Sequence, residues 1–275
     1  MKDFLETLIH LYAFCLFVRA LFPGPSETFF HPAARLIREL TDPLLLFLKK
    51  NRLSTTPTHA LFPLTLLLFL KAALIRSLVQ GGLAWNTALL ISVSGFVYFL
   101  FKTYLLFFWL VFSAHRYRLF DGFFSLLSAV VDQTLATIPG VKKDSSVHRN
   151  APKALGILLA AFFALFLILG ALAGFASSAF SLQEMVEGSV RFLLLGLLEV
   201  LEFLPFFIFV RVIVSFFAPP VTLALEILFA VTEPILEPFR RMRLVVGIFD
   251  FSPVVALLAL SFALQFLRQV LSQMT

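Results

Sequence analysis

The chain is poor in charge and almost devoid of cysteine. Cys15 is the single cysteine, which excludes an internal disulfide and any multi-cysteine metal site. Five histidines, His10, His31, His59, His115 and His148, share no ligand spacing, and each is read as a loop or interface residue. Charged residues make up 14% of the 275, too little polar surface to cover a soluble core of that size. No segment resembles a nucleotide loop, a catalytic triad or a metal cage, so the sequence predicts no cofactor and no enzymatic reaction.

What is present instead is apolar. Hydrophobic residues make up 60% of the chain, 36 of them phenylalanine, and mean hydropathy is +0.97. They come in runs such as "TALLISVSGFVYFLFKTYLLFFWLVF" (87–112) and "ALGILLAAFFALFLILGALAGFA" (154–176). A spanning helix needs about 20 mostly apolar residues. A bilayer admits only helices and closed barrels, and unbroken runs without alternation exclude the barrel. Six spans are predicted, at 4–22, 60–79, 88–113, 154–176, 190–217 and 252–271, giving an all-α membrane protein. The first span does not read as a signal peptide. Asp3 and Glu6 stand where such a peptide is basic, no small-x-small cleavage site follows, and Arg19 lies within the apolar run, so a retained helix is expected.

Three polar, amphipathic stretches, 23–59, 114–153 and 218–251, join the spans in pairs. They hold fourteen of the 22 lysines and arginines, while the short connections 80–87 and 177–189 hold none and the second is acidic, with Glu184 and Glu187. Cytoplasmic loops concentrate lysine and arginine. The long loops are therefore expected in the cytoplasm, with both termini outside. The net charge of +6 then suits anionic lipid head groups and gives no reason to invoke nucleic acid.

The chain also repeats. "FVRALFPGPSETFFHPAARLIRELTDPLLLFLKK" (17–50) aligns with "FVRVIVSFFAPPVTLALEILFAVTEPILEPFRR" (209–241). Arg19 matches Arg211, and Thr41-Asp42-Pro43 matches Thr232-Glu233-Pro234. Lys49-Lys50 matches Arg240-Arg241, and Pro63 matches Pro253 near the start of the next span. The middle third has the same outline, with Asp132 at the acidic position and no proline after it. Three span–amphipathic helix–span units follow, over 1–80, 81–180 and 185–275, the middle one degenerate. Within "TEPILEPFRRMRLVVGIFDFSP" (232–253), Pro234 and Pro238 make an unbroken helix costly. Thr232 is expected to cap a fresh start, Glu237 to pair with Arg241, and Ser252 to cap the last span with Pro253 first inside it.

The residues "VRVIVSFF", "TEPILEPFRR" and "GIFDFSPVVALLAL" resemble the YggT (also YlmG) family of small integral membrane proteins. Pro238 through Arg241 and Gly247 through Pro253, including Asp250 and Ser252, fit its pattern closely. The resemblance is strong over about 190–271 and weaker over about 8–79, where the Asp-Phe-Ser-Pro sequence is missing. It implies a bacterial inner-membrane or plastid-type protein without a known reaction. Relatives are linked to division and nucleoid organisation, to assembly of a membrane cytochrome's haem, and to osmotic tolerance with potassium uptake.

Ionisable residues at membrane depth are functional hypotheses by default. Arg19 and Arg211 lie near the cytoplasmic span ends, where snorkelling to lipid phosphate is expected. Lys71, Lys102, Glu199 and Glu202 are deeper, and one carboxylate is expected to pair with Lys102 or Lys71. An ion path through Glu199 and Glu202 is the sharper alternative, although no broken helix stands out. "LGALAG" (169–174) reads as a close-packing face. The first functional reading is a scaffold or assembly factor that docks lipid and a protein partner through residues 226–243, with self-association also compatible. The second is an ion transporter or channel component.

Overall fold

The computed structural model describes residues 2–22, 32–50, 61–79, 83–116, 122–138, 151–177, 181–217, 223–242, 245–246 and 249–273. They form helices α1 (Lys2–Leu21), α2 (Pro32–Lys50), α3 (Leu61–Leu78), α4 (Trp85–Arg116), α5 (Gly122–Thr137), α6 (Ala151–Ser177), α7 (Leu182–Leu201), α8 (Phe203–Phe217), α9 (Leu223–Arg241) and α10 (Ser252–Gln273). A two-residue antiparallel ribbon, β1 (Val245–Val246) and β2 (Phe249–Asp250), precedes α10, with Val245 opposite Asp250. Among the described residues, five helical stretches are long and apolar enough to cross a membrane: 61–78, 85–113, 151–175, 182–214 and 252–273. Helix α1, the remaining expected span, forms over its expected residues and packs along α3. The protein is an all-helical membrane protein.

Helix α4 is the hub. It packs against α1, α3, α5, α6, α7 and α9, and 44% of its apolar window is buried, against 11% for α10. The main core gathers Leu16, Phe101, Tyr104, Leu135 and Leu158 from α1, α4, α5 and α6, all nearly or wholly inaccessible. A second, smaller core joins Ile208, Leu236 and Ala256 of α8, α9 and α10. Outward-facing phenylalanines such as Phe175, Phe206, Phe262 and Phe266 are exposed, as the lipid-facing side of a span requires.

Three expectations change. The connection predicted over 177–189 is helical from Leu182, where the Ser181 side chain accepts from the Glu184 N–H. Glu184 and Glu187 therefore lie on α7. The span predicted as continuous over 190–217 breaks at Glu202, between α7 and α8. Pro205 explains the break: it lacks the N–H that would bond the Leu201 carbonyl, and its ring crowds that turn. The Glu202 N–H still bonds the Leu198 carbonyl at 2.9 Å. Conversely, α2 and α9 are continuous. Pro43, Pro234 and Pro238 all lie inside helices.

Both helices also receive donors from neighbouring helices near their prolines. A proline leaves the carbonyl four residues back unpartnered and pushes its turn aside. In both helices a ring donor from a neighbouring span reaches the carbonyl three before the proline. Tyr12 Oη donates to Leu40 O at 3.5 Å, and Trp109 Nε1 donates to Val231 O at 3.2 Å. Arg211 Nη1 approaches Phe229 O at 3.4 Å. These donors reach the turns that hold the prolines, although the carbonyls that Pro43, Pro234 and Pro238 leave without a helical donor are those of Glu39, Ala230 and Pro234.

Candidate functional site

The polar groups of this apolar molecule are gathered into clasps between helices. The best formed joins α8 to α9. Thr232, fully buried, donates its hydroxyl to Leu228 O at 2.7 Å within its own helix and accepts from Arg211 Nη1 at 2.7 Å. Arg211 Nη2 meets Glu233 Oε2 at 2.6 Å, and its guanidinium lies over the Phe229 ring at 4.4 Å. Glu233 also accepts from Arg240, two turns further along the same face of α9. Arg241 pairs with Glu237 at 2.7 Å, as the i,i+4 spacing predicts.

Two expectations are corrected here. Thr232 does not cap a helix. It sits in mid-helix, where a threonine bonding its own i−4 carbonyl bends the turn. Arg211 does not snorkel to lipid. Its side chain is 5% exposed and turned inward, because α9 presents a carboxylate and a hydroxyl within reach.

The same arrangement recurs between α1 and α2 in looser form. Arg19 is 3.5 Å from Asp42, also paired inward rather than snorkelling, and the buried Thr41 donates to Ile37 O at 2.8 Å. The middle of the chain carries a neutral counterpart: Tyr104 of α4 hydrogen-bonds Thr134 of α5, which bonds Val130 O at 2.8 Å.

Deeper charges are paired as well. Lys102, half-way along α4, meets Glu199 of α7 at 2.6 Å. Tyr98 donates to the other oxygen of Glu199 at 2.8 Å, and Lys102 also lies over the Tyr98 ring at 4.6 Å. Lys71, half-way along α3, is 4% exposed and lies 2.7 Å from both Glu6 and His10 of α1. The expected Lys102 pairing therefore forms with Glu199, while Lys71 takes partners that sequence reasoning missed. His10 itself stacks on Phe99 at 5.3 Å. Glu202, at the helix break, pairs with Arg268 of α10 at 2.6 Å. Glu6, His10, Tyr98 and Arg268 are not singled out in the sequence as partners, although Glu6–His10 and Tyr98–Lys102 stand at i,i+4 offsets.

Small residues permit the approach. Gly95 lies beside Lys71, where an added Cβ would stand 3.2 Å from Nζ, and Gly196 lies against the Phe101 ring. From the predicted packing face, Gly170 rests on Met185 of α7. Helix α10 starts at Ser252, and the Phe251 carbonyl takes its first bonds from Val254 and Val255. The cap thus falls one residue earlier than expected, with Pro253 in the first turn. Ser252 Oγ instead points to Phe239 O, 3.5 Å away at the end of α9. Asp250 lies in β2; Gly247 lies outside the described residues.

Arg211, the Thr232-Glu233-Pro234 turn, the basic end of α9 and the start of α10 thus form one connected unit. Residues 190–271 match the family model described as CCB3/YggT. This segment is similar to CCB3/YggT domains. Neither a curated protein nor a solved structure matches the chain. The matched segment contains the tight clasp, with Arg211 and Thr232 buried, and the Glu199 and Glu202 ends of two further ion pairs.

Proposed function

We propose that this is a non-enzymatic scaffold or assembly protein of a bacterial inner membrane. Its amphipathic helices α2 and α9 lie at the cytoplasmic face, dock on anionic lipid and present a surface to a protein partner. One observation carries the reading: each of the six charged residues singled out within the spans is engaged inside the molecule. Arg19, Lys71, Lys102, Glu199, Glu202 and Arg211 all have oppositely charged partners within 3.5 Å. Such pairing fixes helices to one another, as a rigid platform needs, and argues against the ion path through Glu199 and Glu202. Meanwhile α2 leaves Leu36, Leu46 and Phe47 exposed beside Arg35, and α9 ends in exposed Arg240, Arg241 and Met242. An amphipathic helix with basic residues beside bulky apolar ones suits an anionic interface.

The test is photo-crosslinking in cells from two positions, Phe47 and Met242. Lipid adducts are expected from Phe47. From Met242 one protein species is expected, lost when Arg241, 76% exposed, is changed to glutamate. Lipid adducts alone from both positions would remove the partner from the proposal.

Sidedness has its own check. With Cys15 buried, a Gln273→Cys variant is expected to react with a membrane-impermeant thiol reagent in intact cells, and a Met242→Cys variant only after lysis. The reverse pattern would place the amphipathic helices outside and contradict cytoplasmic docking.

A further inference from the structure

At the end of the bundle away from α2, α5 and α9, a cavity of about 520 Å³ opens between α4, α6 and α7. That volume is within the range of ordinary ligand pockets. Its wall is mostly apolar and includes Phe166 and Phe192, stacked with centroids 5.5 Å apart. Its polar side chains are four hydroxyls, of Thr87, Ser94, Ser181 and Ser189, and one carboxylate. Ser94 already donates to Ile91 O at 3.2 Å and Ser189 to Met185 O at 2.7 Å, so each hydroxyl offers the cavity lone pairs. Glu184, exposed on the first turn of α7, adds a carboxylate, and among the described residues none that lines the cavity is basic. Glycines at 170, 174 and 188 keep the space open.

We infer that this cavity is a binding site for an ammonium group carried on an apolar body. A carboxylate at the mouth selects positive charge, hydroxyl lone pairs accept from N–H donors, and the aromatic faces attract cations. An anion meets the Glu184 carboxylate and, among the described lining residues, no basic side chain. Two sources supply the chemistry: a free organic cation, or the amine head group of an aminophospholipid entering from the adjoining leaflet.

The experiment uses the full-length protein in detergent micelles. Calorimetry reads binding of benzylammonium, with benzenesulfonate as the anionic control. Saturable binding of the cation alone is expected. Glu184→Gln keeps the helix cap, which uses the backbone N–H of residue 184, and is expected to weaken binding about tenfold, as losing one charge-assisted contact does. A Cβ at Gly188 meets nothing within 4 Å, so Gly188→Leu is expected to fold normally, fill the cavity and abolish binding. Displacement of the probe by phosphatidylethanolamine, with that lipid retained through purification, assigns the site to lipid. Failure of the lipid to displace it assigns the site to a free cation. Equal binding of benzenesulfonate, an unchanged affinity in Glu184→Gln, or no saturable binding of either ammonium source would overturn the assignment. The result is independent of the crosslinking outcome, because the cavity and the docking helices lie at opposite ends.

Discussion

Replacing Arg211 with alanine is expected to lower the stability of the folded protein by about 3–5 kcal/mol, the range for removing one member of a buried ion pair. The side chain is 5% exposed, and its loss strips contacts to the Glu233 carboxylate, the Thr232 hydroxyl, the Phe229 carbonyl and the Phe229 ring. Glu233 keeps only the partly exposed Arg240 in the described contacts that surround it. The chain supplies its own control. Arg19→Ala removes the corresponding residue of the first clasp, where the separation is 3.5 Å and Asp42 is 41% exposed. Its expected cost is below about 1 kcal/mol. Arg211→Lys is expected to fall between, because it restores the charge without the two-pronged donor geometry. Denaturation midpoints in titrations of denaturing detergent into mixed micelles measure all three. Equal losses for Arg211→Ala and Arg19→Ala would show that the tight clasp adds nothing over the loose one.

Gly196→Ala is expected to destabilise the bundle by about 1–3 kcal/mol, although alanine is the better helix former. The new Cβ would stand 2.7 Å from two carbons of the Phe101 ring and 3.2 Å from Tyr98. Phe101 has no accessible surface and is held by Phe162 and Phe166 at 5.1 and 6.0 Å, so the ring has nowhere to go. Helix α7 must then retreat from α4, carrying Glu199 away from Lys102 and Tyr98. Gly188→Ala on the same helix meets nothing within 4 Å and is expected to be neutral or slightly stabilising, by up to about 1 kcal/mol. The same unfolding titration separates the two, and a neutral Gly196→Ala would mean that α4 and α7 do not pack this closely.

Much of this was legible in the sequence because it is written in local spacing. Runs of apolar residues mark spans, and the Arg–Thr–acid–Pro spacing shared by the two outer segments marks the clasps. Glu237 and Arg241 announce their pair at i,i+4. What was not legible depends on partners brought from elsewhere. Pro234 and Pro238 read as breaks by local rules, yet α9 runs through both, with Trp109 of α4 bonding the Val231 carbonyl in that turn. Pro205, in contrast, received no such reading, yet α7 and α8 part beside it. His10 looked like an ordinary interface histidine, since Lys71 lies 61 residues away along the chain. Gly196 carried no motif, and its importance comes wholly from the ring opposite.

The distances along the chain between paired charges set an order of assembly. Arg211 and Glu233 are 22 residues apart and belong to one hairpin, so synthesis delivers both almost together. Lys102 and Glu199 are 97 residues apart. At ~5–20 residues per second, a nascent chain holds Lys102 for roughly 5–20 s before its carboxylate exists. A lone lysine at the centre of an inserting helix costs about 2.5–3.5 kcal/mol, so the early helices remain under tension until the YggT-like segment arrives. That segment is therefore the closing step of biogenesis: a chain truncated before it keeps its early spans but leaves their central charge for quality-control proteases to find.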